Sequence, residues 1–346
     1  MIIYTEEAPK HAVNVLFSDR VLTDTYSTKL TVVTHVQRQP CLNVFFGSKF
    51  HQRVLRTSLQ FGQRVLLADG KFKTVEELKV DDHLAFNAQM SIGCVTHLPT
   101  GGPKLTTQIA HWLGLLFADG YVASDGTTVG IACDELHHKS LIKAAQLGFE
   151  QFGVKPHLKE EKGATCIKVR AFSKNLNEYL SQFKRPFVPL NIPDCIWCGT
   201  PATRAAFLGG VFDGDGSISV CGNLDLCCSK YLAFIQQQQI LWSSLGVITY
   251  VSKRVHLDKR TNKEYTSYKL KPLGNNKNNL KNVCDILIDF SFKFKLNKYM
   301  HSLPEHEETL FPVRITEVSP GSPQDFFNIY TASKRYVFGH GFIGEN

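Results

Sequence analysis

The sequence predicts an α+β protein in which two similar αββαββα repeats lie between β-rich ends. The first observation is a pair of near copies, Trp112–Gly120 (WLGLLFADG) and Leu208–Gly216 (LGGVFDGDG). Each is an apolar run with small residues that ends in an acid and a glycine. The terminal acids, Asp119 and Asp215, are 96 residues apart, and the same order of helix and strand patterns follows each copy. A repeat of this period indicates two pseudo-symmetric half-domains that share one interface.

Residues 1–57 carry the least information. They contain two possible strands, Val13–Phe17 and Leu30–Val36, but no motif that points to a function. We therefore leave this N-terminal segment unassigned.

Two pieces that flank the centre, residues 58–100 and 309–346, are rich in strand patterns. The first predicts a small β meander, with an Asp-Gly turn followed by apolar and polar alternation over Lys71–Lys79. The second ends in a further strand-like run, Tyr336–Asn346. Two β-rich pieces on either side of a repeat indicate an insertion, so we expect them to meet in space as one partial all-β domain.

The two central halves, residues 101–190 and 191–308, show one order of elements: helix, strand, strand, helix, strand, strand, helix. In the first half the pattern predicts these elements at Thr106–Ala118, Tyr121–Val122, Thr127–Cys133, Leu136–Phe152, Val154–Lys159, Thr165–Ala171 and from the cap Ser173 to Leu180. In the second half it predicts them at Ala202–Asp213, near Ile218, near Leu224, and at Tyr231–Leu245, Ile248–His256, Tyr265–Lys271 and Asn279–Ile288.

The net charge of +8 is concentrated in one stretch. Residues 253–298 hold twelve Lys and Arg against four Asp and Glu, while the rest of the chain has 27 of each sign. This favours a polyanionic partner, although a solvated surface has the same composition. No apolar run reaches the roughly 18 residues that cross a bilayer, and the N-terminus does not resemble a signal peptide. We expect a protein without a membrane partner that is not secreted, nuclear in a eukaryote and otherwise cytoplasmic.

The terminal acids lie at helix ends, where the helix dipole disfavours negative charge. Gly114 and Gly210 leave little side-chain bulk, so the two helices can pack closely and bring Asp119 near Asp215. The glycine after each acid is expected in a left-handed cap. A lone Ala-Asp-Gly is most often only a turn, but two copies that end equivalent helices favour a site. Paired carboxylates repel, and a hard divalent cation such as Mg²⁺ relieves that repulsion.

The two motifs resemble those of the LAGLIDADG homing endonucleases in their single-chain, two-repeat form. Phe207–Gly216 is the closer match, and the upstream Ile192-Pro193 and Arg204–Phe207 are also similar to the family. The resemblance implies a site-specific endonuclease that hydrolyses phosphodiester bonds in both strands of DNA. It further implies that Asp119 and Asp215 are the metal ligands and that Mg²⁺ is the cofactor.

The flanking pieces resemble the protein-splicing (Hint) domain of inteins, with Ser58–Val65 at its first block and Tyr336–Asn346 at its last. In this architecture the chain is similar to endonucleases of the intein and HO type. Ser58 stands at the nucleophile position, Glu345 replaces the penultimate His, and Asn346 ends the block. Because that His and an assisting Thr-x-x-His block are missing, we expect a degenerate Hint-like domain that no longer splices.

The resemblance also implies basic side chains beside the paired acids. Lys293 resembles one basic active-site position of the family. At the other, two residues before the Ile-Pro pair, the sequence has Leu190 where a lysine often stands. Lys184 and Arg185 are candidates to compensate for the missing lysine, although neither matches that motif. The missing lysine predicts slow cleavage, nicking, or binding without cutting, because it would stabilise developing charge.

Basic residues alternate with apolar ones on predicted strands of both halves. A twisted sheet with such a face fits the major groove of DNA, where side chains reach base edges. An ordinary half-exposed sheet shows the same alternation. The candidate DNA-binding residues are Lys168, Arg170, Arg254, Lys269 and Lys271.

Together these features predict a monomeric, metal-dependent endodeoxyribonuclease that acts on double-stranded DNA through Asp119, Asp215 and Lys293. Three alternatives stay open: a catalytically impaired DNA-binding regulator, an RNA maturase, and an intein that retains self-splicing. Leu190 favours the first. The Hint-like ends disfavour the second, and Glu345 disfavours the third.

Overall fold

The structure, a computed structural model, describes residues 2–4, 9–11, 20–22, 27–46, 55–86, 95–134, 139–160, 166–186, 188–219, 223–258, 263–273, 277–295, 311–331, 335–338 and 342–345. The helices are α1 (Thr107–Asp119), α2 (Lys139–Gln151), α3 (Lys174–Leu180), α4 (Asp194–Trp197), α5 (Pro201–Asp215), α6 (Leu232–Ser243), α7 (Lys277–Phe290) and α8 (Phe292–Lys295).

The strands before the second motif are β1 (Ile2–Tyr4), β2 (Pro9–His11), β3 (Arg20–Leu22), β4 (Ser27–Phe46), β5 (Leu55–Gln60), β6 (Arg64–Leu66), β7 (Phe72–Thr74), β8 (His83–Phe86), β9 (Gly120–Val122), β10 (Thr128–Asp134), β11 (His157–Glu160) and β12 (Cys166–Phe172). Those after it are β13 (Ser217–Ile218), β14 (Leu224–Asp225), β15 (Cys227–Ser229), β16 (Thr249–Asp258), β17 (Lys263–Pro272), β18 (Phe311–Thr331), β19 (Arg335–Phe338) and β20 (Phe342–Glu345).

The predicted order of elements is confirmed in both central halves. In the first, an antiparallel sheet has the strand order β11-β12-β10-β9. In the second, β15-β17-β16 and β13-β14 form two smaller sheets. Leu226, between β14 and β15, still donates its backbone N–H to the carbonyl of Leu270 at 2.7 Å. The second half therefore has one interrupted strand where the first half has the continuous β10.

Helices α1 and α5 form the centre of the protein and pack backbone against backbone. Thr106 and Thr200 cap them, each accepting a hydrogen bond from the N–H three residues later. A Cβ atom on Gly114 would collide with the carbonyl oxygen of Phe207, and one on Gly210 with that of His111. Only glycine permits this approach, so the close packing expected from the sequence is present.

The β-rich flanks share one sheet. Strand β8 pairs with β18 and β20, and β20 pairs with β6, so strands of residues 58–100 and 309–346 are neighbours as expected. The N-terminal segment joins the same sheet, because β4 pairs with β5 and β18 and β1 pairs with β19. The possible strand Val13–Phe17 lies outside the described residues, whereas Leu30–Val36 belongs to β4.

The strand expected over Lys71–Lys79 is wrong in its second part. After β7 the chain turns into a short 3₁₀ helix, Val75–Glu77. The Glu77 carboxylate accepts the backbone N–H of Thr74 at 2.9 Å, a local bond that competes with strand pairing. Among the described helices, none is long and apolar enough to cross a bilayer.

Candidate active site

The two motif acids meet at one end of the central helix pair. Asp119 is the last residue of α1, and Asp215 is the last residue of α5. A Cβ atom on Gly214 would lie 3.1 Å from Oδ2 of Asp119, so the Asp119 carboxylate reaches the last turn of the opposite helix. The close approach of α1 and α5 thus places both acids in one composite site.

The glycines that follow the acids are not left-handed caps. Gly120 has φ −90° and Gly216 has φ −82°, both in extended backbone. The expectation of a positive φ is therefore wrong, and space explains the glycines instead. A Cβ on Gly120 would lie 2.5 Å from the Leu116 carbonyl oxygen, and one on Gly216 would lie 2.6 Å from that of Phe212.

Burial and mutual repulsion disfavour negative charge on the acids. Burial, together with the charge of Asp119, raises the pKa of Asp215 to about 7, although the charges of Lys184 and Lys293 oppose that shift. Burial also raises the pKa of Asp119, against the opposing charges of the same two lysines. The four charged groups therefore form one electrostatic unit.

Lys184 lies beside the acids on the turn after α3. Its Nζ donates to the carbonyl oxygens of Leu116 at 2.7 Å and Phe117 at 2.8 Å, in the last turn of α1. Burial lowers the pKa of Lys184 to about 8, although both acids oppose that shift. A cation at this position counters the negative end of the α1 dipole.

Lys293 occupies the matching place on the other half. It lies in α8, and its Nζ donates to the carbonyl oxygen of Gly216 at 2.5 Å, directly after α5. Its charge lowers the pKa of both Asp119 and Asp215. The structure thus brings the three predicted catalytic residues together and adds Lys184 to them.

Leu190, at the position where the family resemblance implies a lysine, is a core residue. Its side chain is 9% exposed and belongs to the hydrophobic cluster of the central halves. Of the two basic residues that could compensate for the missing lysine, Lys184 lies beside the acids. A signal was present in the sequence: Lys184 follows the third helix of its half by four residues and Lys293 follows its own by three.

A buried thiol lies against Asp215. The Sγ of Cys227 is 3.9 Å from Oδ2 of Asp215 and accepts a 3.2 Å hydrogen bond from the Gln238 side chain. Burial raises the pKa of Cys227 well above its usual value, so the group is a neutral S–H donor. In the other half, burial and the charge of Asp119 raise the pKa of Cys133 to about 12. Sequence reasoning missed both thiols.

The protein itself offers few metal ligands at this site. Within the described residues, no group of three or more His, Cys, Asp or Glu is placed to hold a metal ion. The donors available here are the two carboxylates.

The candidate DNA-binding residues of the first half share one face of a sheet. Lys168 and Arg170 alternate on β12 with the buried Val169 and Ala171. Across the strand pair, Lys168 is the register partner of Lys159. The predicted half-exposed basic face is present.

In the second half, an acid that sequence reasoning missed engages two of the candidate residues. Asp225 forms ion pairs with Lys269 and, at 2.9 Å, with Lys271. These two lysines and one acid carry a combined charge of +1, so they attract phosphate less than two free lysines do. Arg254 lies on the exposed part of β16, opposite Ser267.

The predicted splicing positions lie in the flanking sheet. Ser58, on β5, donates its hydroxyl to the side-chain oxygen of Asn43 at 2.9 Å. Glu345 ends β20, where its register partners are Arg335 and Arg64. Asn346 lies outside the described residues.

Comparisons with known proteins find a family model that matches part of the second half, and two solved structures to which the chain is similar. No curated protein sequence matches the chain. The crystal structure of I-DmoI in complex with DNA and Mn is 21% identical with a TM-score of 0.38, over 53% of this chain and 98% of that one. The N-terminal LAGLIDADG domain of DUF199/WhiA is 12% identical with a TM-score of 0.36, over 60% of this chain and 91% of that one. Residues 202–285, from α5 to α7, match the family model of the LAGLIDADG-like domain.

Proposed function

We propose that this protein is a site-specific endonuclease that hydrolyses double-stranded DNA with a divalent cation held between Asp119 and Asp215. The observation that carries the proposal is the convergence of two helix-terminal carboxylates with two lysines in one site, in which Asp215 and both lysines are half-buried. The Lys184 and Lys293 ammonium groups each bind carbonyl oxygens at the end of a motif helix. Such a constellation, with shifted pKa values at Asp119, Asp215 and Lys184, is typical of functional centres.

The residues fit a hard cation. Both acids supply oxygen ligands, and the pKa of Asp215, raised to about 7 by burial and by Asp119, marks a place where a positive charge is favoured. Mg²⁺ characteristically binds one or two carboxylates and completes its shell with waters and substrate phosphates, which suits a site with two protein ligands. We propose Mg²⁺ on this basis. When bound, a divalent cation activates a water molecule and stabilises the leaving oxygen.

The chain's own residues orient the reaction and stabilise charge. The carboxylates of Asp119 and Asp215 are fixed at the ends of rigid helices. We assign Lys184 and Lys293 the role of stabilising the negative charge that grows on the scissile phosphate, an effect that is strongest in a desolvated site. Because each lysine belongs to a different half, each half supplies one carboxylate and one ammonium group.

DNA recognition is assigned to the basic strand faces. The basic faces come from both halves. Lys168 and Arg170 lie on β12 of the first half. Arg254 lies on β16 of the second half, and the Asp225-bound lysines lie on β17 beside it. We propose that these faces lie in the major groove on either side of the cut, with the acids over the minor groove between them. The salt dependence of binding would then be steep.

The test begins with the target, which a cleavage selection supplies. The full chain is incubated with a randomised duplex library and Mg²⁺, and the cut ends are sequenced. On the selected duplex we expect Asp119→Asn and Asp215→Asn, singly or together, to abolish cutting. Asp285→Asn is the matched control, because Asp285 lies on the exposed side of α7, where it pairs with Lys281. Cutting by the double variant would contradict the metal-site assignment.

The alternatives lead to different outcomes. Leu190 was the reason to favour a DNA-binding regulator, and Lys184 removes that reason; duplex binding without cutting in Mg²⁺ or Mn²⁺ would restore it. Tighter binding to structured RNA than to any duplex would favour the maturase.

We further propose the domain boundaries given above. In this division residues 58–100 and 309–346 form a Hint-like domain that has lost splicing. We also propose that the protein is a monomer. A cleavage fragment that begins at Ser58, detected by mass spectrometry after incubation of the expressed chain, would overturn the loss of splicing. Light scattering on the purified chain tests the monomer.

A further inference from the structure

The two halves of the composite site are supported unequally, and the difference lies in the motif helices. With the 96-residue repeat, His111 of α1 corresponds to Phe207 of α5, and Phe117 of α1 corresponds to Asp213 of α5. In the structure, Nε2 of His111 lies 2.8 Å from Oδ2 of Asp213. The equivalent contact, between Phe117 and Phe207, is an edge-on ring pair with centroids 5.6 Å apart. One contact across the helix pair is polar, and its counterpart is apolar.

Asp213 is a fully buried carboxylate with four donors. Its Oδ1 accepts from the Ser291 hydroxyl at 2.6 Å and from the Lys293 N–H at 2.8 Å. Its Oδ2 accepts from the Phe292 N–H at 2.9 Å and from His111. The Ser291 hydroxyl in turn accepts from the N–H of Phe294 at 2.9 Å. Asp213 therefore fixes the first turn of α8 against α5.

That turn carries Lys293. The backbone N–H of Lys293 donates to Asp213 in the last turn of α5, and its Nζ donates to the carbonyl of Gly216, which directly follows α5. The end of α5 therefore fixes both the backbone and the side chain of Lys293. Buried charge-assisted hydrogen bonds of this kind are strong and restrict geometry.

Lys184 is held differently, without a carboxylate from its motif helix. Its N–H donates to the Leu180 carbonyl at 3.0 Å, within its own turn, and its Nζ binds the end of α1. The residue that corresponds to Asp213 is Phe117, whose ring packs on Phe207 and on Phe234, with centroids 5.9 Å apart in the second pair. A phenyl ring offers no acceptor to the turn that carries Lys184.

We propose that Asp213, assisted by Ser291 and His111, is a positioning residue for Lys293 alone, so that its loss slows cleavage of one DNA strand and spares the other. The strand-selective part rests on the proposed function, whereas the anchoring of α8 does not. A displacement of about 1 Å in a catalytic group lowers the rate by about 100-fold, which sets the expected size of the effect.

The first experiment needs no substrate. Hydrogen exchange and amine acylation, read by mass spectrometry on the full chain, are compared in the wild type, Asp213→Asn, Ser291→Ala and Ser291→Thr. We expect Asp213→Asn and Ser291→Ala to speed exchange over residues 292–295 and to raise acylation of Lys293, with Lys184 unchanged. Ser291→Thr keeps the hydroxyl and restores protection. Unchanged exchange in a folded Asp213→Asn protein, or an equal effect at Lys184, would overturn the anchoring. Ser291→Ala decides the matter if Asp213→Asn does not fold.

The second experiment uses the selected duplex with each strand labelled separately. Asp213→Asn should slow one strand by about 100-fold, so that nicked DNA accumulates, while DNA affinity stays unchanged. In a Lys293→Ala background, the same change should add nothing, because both act through one lysine. Equal slowing of both strands, or additive losses, would refute the proposal. If the wild type cuts no duplex, the nuclease function fails, and the exchange data alone decide whether Asp213 anchors α8.

Discussion

Replacing Asp215 by Asn is expected to stabilise the metal-free protein at neutral pH, although it removes a proposed metal ligand. Burial, with the charge of Asp119, raises the pKa of Asp215 to about 7 in the folded protein, from 3.8 as its ordinary value. As pH rises from about 4 to about 7, the unfolded chain loses this proton while the folded chain keeps it. Stability therefore falls across that window and levels off above it.

The size of the pKa shift of Asp215 determines how much the free energy of unfolding changes with pH. A difference of about three pKa units, at about 1.4 kcal/mol each, amounts to about 4 kcal/mol above pH 7. Asn carries no charge at any pH, so the variant lacks this penalty. Its advantage over the wild type should be close to zero near pH 4 and grow to about 4 kcal/mol near pH 7.5.

Urea unfolding in EDTA, followed by tryptophan fluorescence, measures this difference. Trp112 and Trp242 are buried in the central halves and report on the part that contains the site. Asp285→Asn should leave the pH dependence unchanged. Mg²⁺ at a hundred times its dissociation constant should restore about 2.7 kcal/mol to the wild type and nothing to the variant. An Asp215→Asn protein that is less stable at neutral pH, or whose advantage does not grow with pH, would refute the reasoning.

Three further predictions concern Lys184, Asp225 and Gly210. Lys184→Ala should lower the turnover of the selected duplex by about 100-fold or more at unchanged affinity, because a preorganised charge is lost, while Arg185→Ala should have little effect. Asp225→Asn should release its two lysines and steepen the slope of log affinity against log salt, measured by fluorescence anisotropy, by about 0.9 for each further phosphate that a released lysine neutralises. Gly210→Ala should destabilise the central halves by about 1–3 kcal/mol in urea unfolding, because its Cβ meets the His111 carbonyl.

Each of these has a clear contrary result. If Lys184→Ala and Arg185→Ala lowered turnover equally, Lys184 would contribute no more than a surface charge does. An unchanged salt slope in Asp225→Asn would mean that the released lysines do not bind phosphate. A Gly210→Ala protein of wild-type stability would show that α1 and α5 are further apart than described.

The motif helices were predictable from sequence because their determinants are local. Thr106 and Thr200 precede apolar runs, and the small residues within those runs indicate a close approach. The spacing from Ile192-Pro193 could not assign Lys184, because its place beside the acids depends on the turn after α3; its distance from the end of that helix was the one signal. Asp225 on β14 meets Lys269 and Lys271 of β17 because β15, the next strand after β14, pairs with β17, and no local pattern contains that register.

The charge balance of the site explains why the lysines belong with the acids. Two carboxylates at the negative ends of two helices are unfavourable alone, and Lys184 and Lys293 offset both the carboxylates and the helix ends. With all four groups ionised, the protein contributes no net charge. A bound divalent cation would then leave the centre with a charge of +2, which matches the two negative charges of a phosphodiester at the transition state. Under the proposed function the centre would hold a scissile phosphate tightly only with the cation bound, so any DNA affinity that survives in EDTA should come from the strand faces and not from the acids.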